Sequence, residues 1–361
     1  MEKKTFQKWQ GRKLLFWFLA VIIFGGVYLT YTCWDLYNDK AAEEYYWQNA
    51  MNDDAQVPEH ITQISKNATH VKVGTYVETL KEINMKSSSY RVVTKVWFKW
   101  TGDDDLDMIN NFHVYNGTVN KLNVMKDEVI NGEHYQVATL DVSVFKNFWT
   151  KRFPLESHQL RFYIEPDYSI ERVVLEGDME NCAVNPNLSI AGYDLLRSDC
   201  ANYTNVYNTT YGEPGIKEAL ATSEFMTQME LNRDSFGAYL KCFIALVGTS
   251  LWVFITMILC TFHRVDPLGM IPAALFGTVT NIAVGANLLP DALHTGLLEY
   301  VNIWGIFTIL VGALTIININ RIRNKYNDNR FAVLYGRIIT FTVIFMVLLG
   351  HILMPMSAYM A

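Results

Sequence analysis

Long, nearly uncharged stretches stand towards both ends of the chain, and between them apolar and polar residues alternate in short runs. Residues 14–32, LLFWFLAVIIFGGVYLTYT, hold no charged side chain, and an apolar run of this length predicts a membrane-crossing helix. Four more such runs follow, over about 239–262, 267–289, 299–319 and 331–355. In the middle the period drops to two. VKVGTYVETL, YRVVTKVWFKW, GTVNKLNVM, HYQVATLDVSVF, HQLRFYIE, ERVVLEG and SEFMTQMELNR are rich in Val, Thr and aromatic residues and bounded by Asn, Asp, Gly and Pro, which predicts strands. Regular spacing with no helices between them predicts an antiparallel β-sandwich. The expected plan is a basic tail and anchor helix over 1–33, a linker over 34–66, a sandwich over 67–234 and a four-helix transmembrane unit over 235–361.

Charge orients this plan. Lys3, Lys4, Lys8, Arg12 and Lys13 precede the first apolar run, which is too long for a signal-peptide core and has no convincing cleavage site before Tyr31, so it reads as an uncleaved anchor. His263, Arg264, Arg321, Arg323, Lys325 and Arg330 fall on the same side as the basic tail, while Asp291 and Glu299 fall on the other. The sandwich and the C-terminus are then both outside the cytoplasm. Over 361 residues the net charge is -6, and no basic run is interleaved with aromatics, which argues against a nucleic-acid partner. No HExxH, GxSxG, phosphate-binding Gly loop or credible carboxylate pair is present, so no enzyme and no cofactor is expected. Of the five cysteines, Cys242 and Cys260 lie in an apolar run and read as small buried hydrophobes. Cys182 and Cys200 lie in the soluble part, a candidate disulfide if that part is outside the cytoplasm. None of the five has metal-ligand spacing.

The stretch DPLGMIPAALFGTVTNIAVGANLLP, from Asp266 to Pro290, is apolar yet carries Thr278, Thr280, Asn281 and Asn287. About 22 residues of helix reach about 33 Å, enough to cross a bilayer core, and the polar groups predict a helix that faces protein or water. Around it stand Phe153-Pro154-Leu155-Glu156 between two strands, VGTYVETLKEINMKSSSYRVVTKVWFKW ending at Trp100, Asn232-Arg233 ahead of the first of the four C-terminal spans, and Asn287-Leu288-Leu289-Pro290. In their order and spacing these resemble the pentameric ligand-gated ion channel (Cys-loop receptor) superfamily, over about residues 69–361. Lys146 and Leu160 stand where animal members place their loop-closing cysteines, so the resemblance is to prokaryotic members. Leu246 replaces the proline common in the family's first span, and the helix at 14–32 is an addition.

The resemblance implies an extracellular antiparallel β-sandwich plus an α-helical transmembrane bundle of four family helices and one additional N-terminal helix. It implies a homo-pentamer in a bacterial inner membrane, the sandwich in the periplasm, opened by an unknown small molecule or by protons and passing monovalent cations. The family's pore row carries over to Asp266, Met270, Ala274, Gly277, Asn281 and Val284. Asp266 is either a ring of carboxylates at the cytoplasmic mouth or a helix cap beside Pro267. Gly277 cannot form a bulky gate, which leaves Met270, Phe276 or Val284, and Pro272 is expected to kink the span. Coupling is expected from Glu156 paired with Arg233, together with Phe153, Pro154, Asp291 and His294. Tyr203, Tyr207 and Tyr211 are expected in a loop capping the ligand site. The alternative is a non-conducting pentameric receptor or scaffold of the same fold.

Overall fold

The computed structural model describes residues 7–51, 57–188, 190, 192–207, 209–212, 220–233, 235–288 and 295–359, without the side chains of 50, 51, 235, 236 and 284–288. The chain divides into two compact units, one made of 1–43, 150–156 and 235–361, the other of 44–149 and 157–234.

The first unit is helical. Helix α1 (Lys8–Met51) runs on for 44 residues, well past the expected end of the anchor at 33. No Gly or Pro interrupts the sequence between Gly26 and Pro58, and the segment 40–50 is made largely of good helix formers. Its buried stripe, Val21, Gly25, Leu29, Thr32, Leu36 and Glu43, keeps helical spacing into the segment expected to be a linker. A Cβ on Gly25 would lie 2.9 Å from Met346 Cε and 3.4 Å from Trp304, so only glycine lets α1 approach so closely. Beside it the Tyr28 ring stacks on Trp304 at 5.6 Å.

The four C-terminal helices follow as α3 (Ser235–His263), α4 (Ile271–Leu288), α5 (Leu297–Lys325) and α6 (Asn329–Tyr359), after a short α2 (Glu59–Ile64) in the other unit. Among the described residues α1, α3, α5 and α6 are long and apolar enough to cross a membrane. The fifth expected span is shorter: α4 has 18 residues, about 27 Å. A 3-10 turn, Leu268–Met270, precedes it. Pro272 is therefore the second residue of α4, where its missing N–H has no helical acceptor to lose, and it shapes the start of the helix rather than kinking its middle. The segment RIRNK, beyond the expected span end at 319, is the last part of α5. Asp328 then caps α6, its Oδ1 accepting the Phe331 N–H at 3.0 Å.

The second unit holds two sheets. One has the strand order β4 (Gly117–Ile130), β5 (Glu133–Phe145), β2 (Ser89–Trp100), β1 (Thr69–Asn84), β7 (Val173–Gly177), with β8 (Ala183–Val184) also paired to β1. The other has the order β3 (Phe112–Val114), β6 (Ser157–Pro166), β10 (Ala221–Arg233), β9 (Tyr193–Val206). Pairing is antiparallel except that β7 and β8 run parallel to β1, a departure from the wholly antiparallel expectation. Alternation sets the core: Val92, Val96 and Phe98 of β2 meet Phe162, Ile164 and Phe225 of the second sheet in one apolar cluster. Burying each such side chain stabilises the fold by about 1.5–3 kcal/mol. Strand β10 is buried on nearly every residue, whereas β4 is exposed along almost its whole length.

Candidate functional site

In the helical unit, three acids of α1 at four-residue spacing, Asp35, Asp39 and Glu43, lie on one helix face and hold the segment 150–156. Lys151 Nζ donates to Asp35 Oδ1 at 2.8 Å, and Tyr300 Oη of α5 donates to Asp35 Oδ2 at 2.7 Å. Arg152 donates through Nε to Asp39 at 3.2 Å, through Nη1 to the Ala358 carbonyl at 3.3 Å, and through Nη2 to Glu43. Lys40 stands 3.7 Å from Glu43, so three acids meet three cations. The Leu297 N–H closes the knot on Lys151 O at 2.7 Å. A Cβ on Gly296 would lie 2.2 Å from that same carbonyl oxygen, so the position has room for glycine alone.

Phe153, Pro154 and Glu156, expected at a coupling junction, are buried in this unit, and the Phe153–Pro154 peptide bond is cis. Arg233 belongs to the sheet unit, with its guanidinium 5.1 Å from the Tyr193 ring centroid. Asp291 and His294 lie outside the described residues.

Helix α4 takes a register that corrects the expected pore row. Ala274 and Asn281 are each 2 % exposed and face the chain's own helices. Thr249 of α3 donates to the Ala274 carbonyl at 3.2 Å, and Asn281 Nδ2 donates to Asn302 Oδ1 of α5 at 3.0 Å. Gly277 lies against Thr249, whose Oγ1 would be 2.1 Å from a Cβ there. Side chains spent on packing against α3 and α5 cannot also line a lumen. The opposite face, around Pro272, Phe276, Val279, Thr280 and Ala283, is exposed, with Phe276 at 74 % and Val279 at 62 %. Met270 is half-buried, and the Val284 side chain lies outside the description. Asp266 is exposed, and its Oδ1 accepts the Leu268 N–H at 3.2 Å, a cap on the 3-10 turn.

In the sheet unit, the tyrosines expected in a capping loop are placed on and after a strand, β9. Tyr203 sits edge-on to Tyr163 of β6 at 6.1 Å, and Tyr207 and Tyr211 are 5.4 Å apart. Tyr207 Oη donates to Glu165 Oε1 at 2.7 Å. Glu165 and Glu224 flank the Ile164–Phe225 pair on β6 and β10, so both side chains lie on the sheet face away from the core, yet both are buried. Asn205 Nδ2 donates to Glu224 at 2.9 Å. Burial, with the hydrogen bond and charge of Glu165, pushes Glu224 up to about 8. Two buried carboxyls that share a site hold a proton near neutral pH, or accept a cation in its place.

No protein-family model matches this chain. A comparison with curated proteins likewise finds no match. Three features of these sites depart from the expected plan. The α1 acids lay in the segment taken for a linker, although their four-residue spacing was visible. Small residues at Ala274 and Gly277 mark close helix packing as well as they mark a wide lumen. Glu165 and Glu224 are far apart in sequence and meet only through the register of β6 with β10.

The first turn of the sheet unit is also built on this face. Arg161 lies 4.2 Å from the Tyr46 ring centroid and Arg197 lies 4.3 Å from that of Trp47. Arg197 also bonds Glu44 Oε2 and Glu230 Oε2, each at 2.5 Å. Residues 44–47 thus pack on the outer face of the β6–β10–β9 sheet around Arg161 and Arg197. Cys182 and Cys200, the expected disulfide candidates, are free thiols side by side in this unit.

Proposed function

We propose that this chain is the subunit of a pentameric ligand-gated cation channel in a bacterial inner membrane, its two sheets forming a periplasmic β-sandwich. The observation that carries the reading is the two-sidedness of α4. One face is tied to α3 and α5, while the other, with Phe276, Val279 and Thr280, is uncovered within the single chain. Five copies of such a helix around an axis turn every inward residue into a ring. In this register Phe276 supplies the bulky apolar ring that gates by dewetting, Thr280 a hydroxyl ring beyond it, and Asp266 the carboxylates that concentrate cations at the cytoplasmic mouth.

The ligand site in this reading is the face around Glu165, Glu224, Tyr163, Tyr203 and Tyr207, where a proton or a small cation neutralises the carboxyl pair. Coupling runs through segment 150–156. Helix α1 is the added element, and its acids hold that segment.

Purified protein in a planar bilayer is expected to pass cation current. Asp266→Asn lowers cation selectivity, and Phe276→Ala gives current without any ligand. A second reading has one observation in its favour: the exposed face of α4 is mostly apolar, with Leu275, Phe276, Val279 and Ile282. A non-conducting pentameric receptor has no need of a wet lumen. Silence from both the wild type and Phe276→Ala, across pH 4–8, favours that reading and refutes the channel.

A further inference from the structure

Cys182 and Cys200 are the two cysteines of the sheet unit, and they line a cleft of ≈ 210 Å³ together with Met179, Asp199 and Thr227. Cys200 lies on β9. Cys182 lies just before β8, its N–H bonded to Asp178 O at 3.1 Å. Both backbones are already fixed: Asp178 is held by Trp97 Nε1 at 3.0 Å and Lys99 Nζ at 2.7 Å, and β9 is tied to β7 by the Gly177 N–H on Asn202 Oδ1 at 2.7 Å. Cys200 Sγ donates to Thr227 Oγ1 at 3.9 Å, and the neighbouring Cys200 holds the pKa of Cys182 down while Cys182, with burial, pushes that of Cys200 up. Neither side chain is fully buried, so a small reagent can enter the cleft.

We propose that Cys182 and Cys200 are a thiol–disulfide exchange site that reversibly ties β9, and the tyrosines Tyr203 and Tyr207 on and after it, to the segment before β8. The co-reactant is a disulfide, of a thiol oxidoreductase or a small molecule. The Cys182 thiolate attacks one sulfur of that disulfide, forming a mixed disulfide and releasing one thiolate, which takes up a proton. Cys200 loses its proton and attacks Cys182 Sγ, breaking the mixed disulfide and releasing the second thiol. Two electrons pass to the oxidant, and one intramolecular S–S bond replaces the intermolecular one. Cys182 leads because its thiolate is the more populated of the two. Formation in the cell rests on the placement of the sheets outside the cytoplasm; the pairing itself does not.

The test counts thiols in the full chain. Protein purified in detergent without reductant is denatured in a maleimide reagent. Of five cysteines, three are labelled before reduction and five after, and digestion gives a linked peptide pair containing positions 182 and 200. In a second arm, reduced protein treated with oxidised glutathione gives the same pair, and Cys182→Ser leaves Cys200 unlinked. The apparent melting temperature of the oxidised wild type falls on adding reductant, while that of Cys182→Ser/Cys200→Ser is unchanged. Five labelled cysteines without reductant in both arms, or linkage to Cys33, Cys242 or Cys260, overturns the proposal. A link formed by glutathione but missing from protein as purified supports the pairing and refutes the placement of the sheets outside the cytoplasm.

Discussion

Replacing Arg152 by Met keeps the bulk of the side chain and removes its charge at the centre of the α1 knot. Arg152 is 2 % exposed and Glu43 is 2 % exposed, so the Glu43 carboxylate cannot turn to water, while Asp39 is partly exposed. Lys40 stands 3.7 Å from Glu43, too far to replace the Arg152 hydrogen bond, and the Ala358 carbonyl loses a donor. Stranding a buried charge in this way costs about 3–5 kcal/mol. At about 2–4 °C per kcal/mol for a large chain, the apparent melting temperature falls by about 6–20 °C. Lys151→Met is the internal control: Lys151 and Asp35 are both partly exposed, and Asp35 keeps its bond from Tyr300, so the loss is about 1 kcal/mol or less. Arg152→Met combined with Asp39→Asn and Glu43→Gln removes the stranded charges and recovers at least half of the drop. The assay is thermal unfolding in detergent, followed by tryptophan fluorescence. A shift within 2 °C for Arg152→Met, or no recovery in the triple variant, refutes a dry, charge-matched knot.

Glu224 sets a pH dependence whose sign is fixed by its raised pKa. The folded protein keeps the proton up to about pH 8, while the unfolded chain loses it near the ordinary value of 4.5, so stability falls as pH rises between those values and levels off outside them. After allowance for coupling to Glu165 the change is about 2 kcal/mol. Glu224→Gln flattens the slope of melting temperature against pH; an unchanged slope shows that the pair is ionised and hydrated. Gly296→Ala pushes a Cβ into Lys151 O and weakens the Leu297 bond, costing about 1–3 kcal/mol, read as a lower melting temperature; a neutral outcome refutes the close approach. Asn281→Leu leaves the Asn302 amide without its donor and destabilises by about 1 kcal/mol, while Asn281→Leu/Asn302→Leu recovers it. Additive losses in that cycle would mean that Asn281 faces away from α5.

Much of the fold was legible because it follows from periodicity. Each of the seven strand segments read from alternation is found as a strand, since Val, Thr and aromatic residues at period two build a half-buried pleated surface. Strand β9 was missed for the same reason in reverse. Its sequence, YDLLRSDCANYTNV, mixes polar residues on both faces, and pairing with β10 makes it a strand where local pattern does not. The end of α1 was missed because hydropathy stops at Trp34 while helix propensity does not. Beyond that point the partners of its buried face are charged, and an apolar stripe is the wrong thing to look for.

The register of α4 was the least legible feature, for a physical reason. A helix that is apolar nearly all round carries little information about which face meets which neighbour, so the choice falls to a few small or polar residues. Gly277 and Ala274 were read as a lumen without a gate. In the structure they are the contact that brings α4 against Thr249 of α3, and Asn281 is bound to Asn302 rather than offered to an ion. Turning the helix to satisfy these contacts moves Phe276 to the uncovered face. The glycine that argued against a gate in the expected register is therefore what, through packing, leaves an aromatic ring on the exposed face of α4.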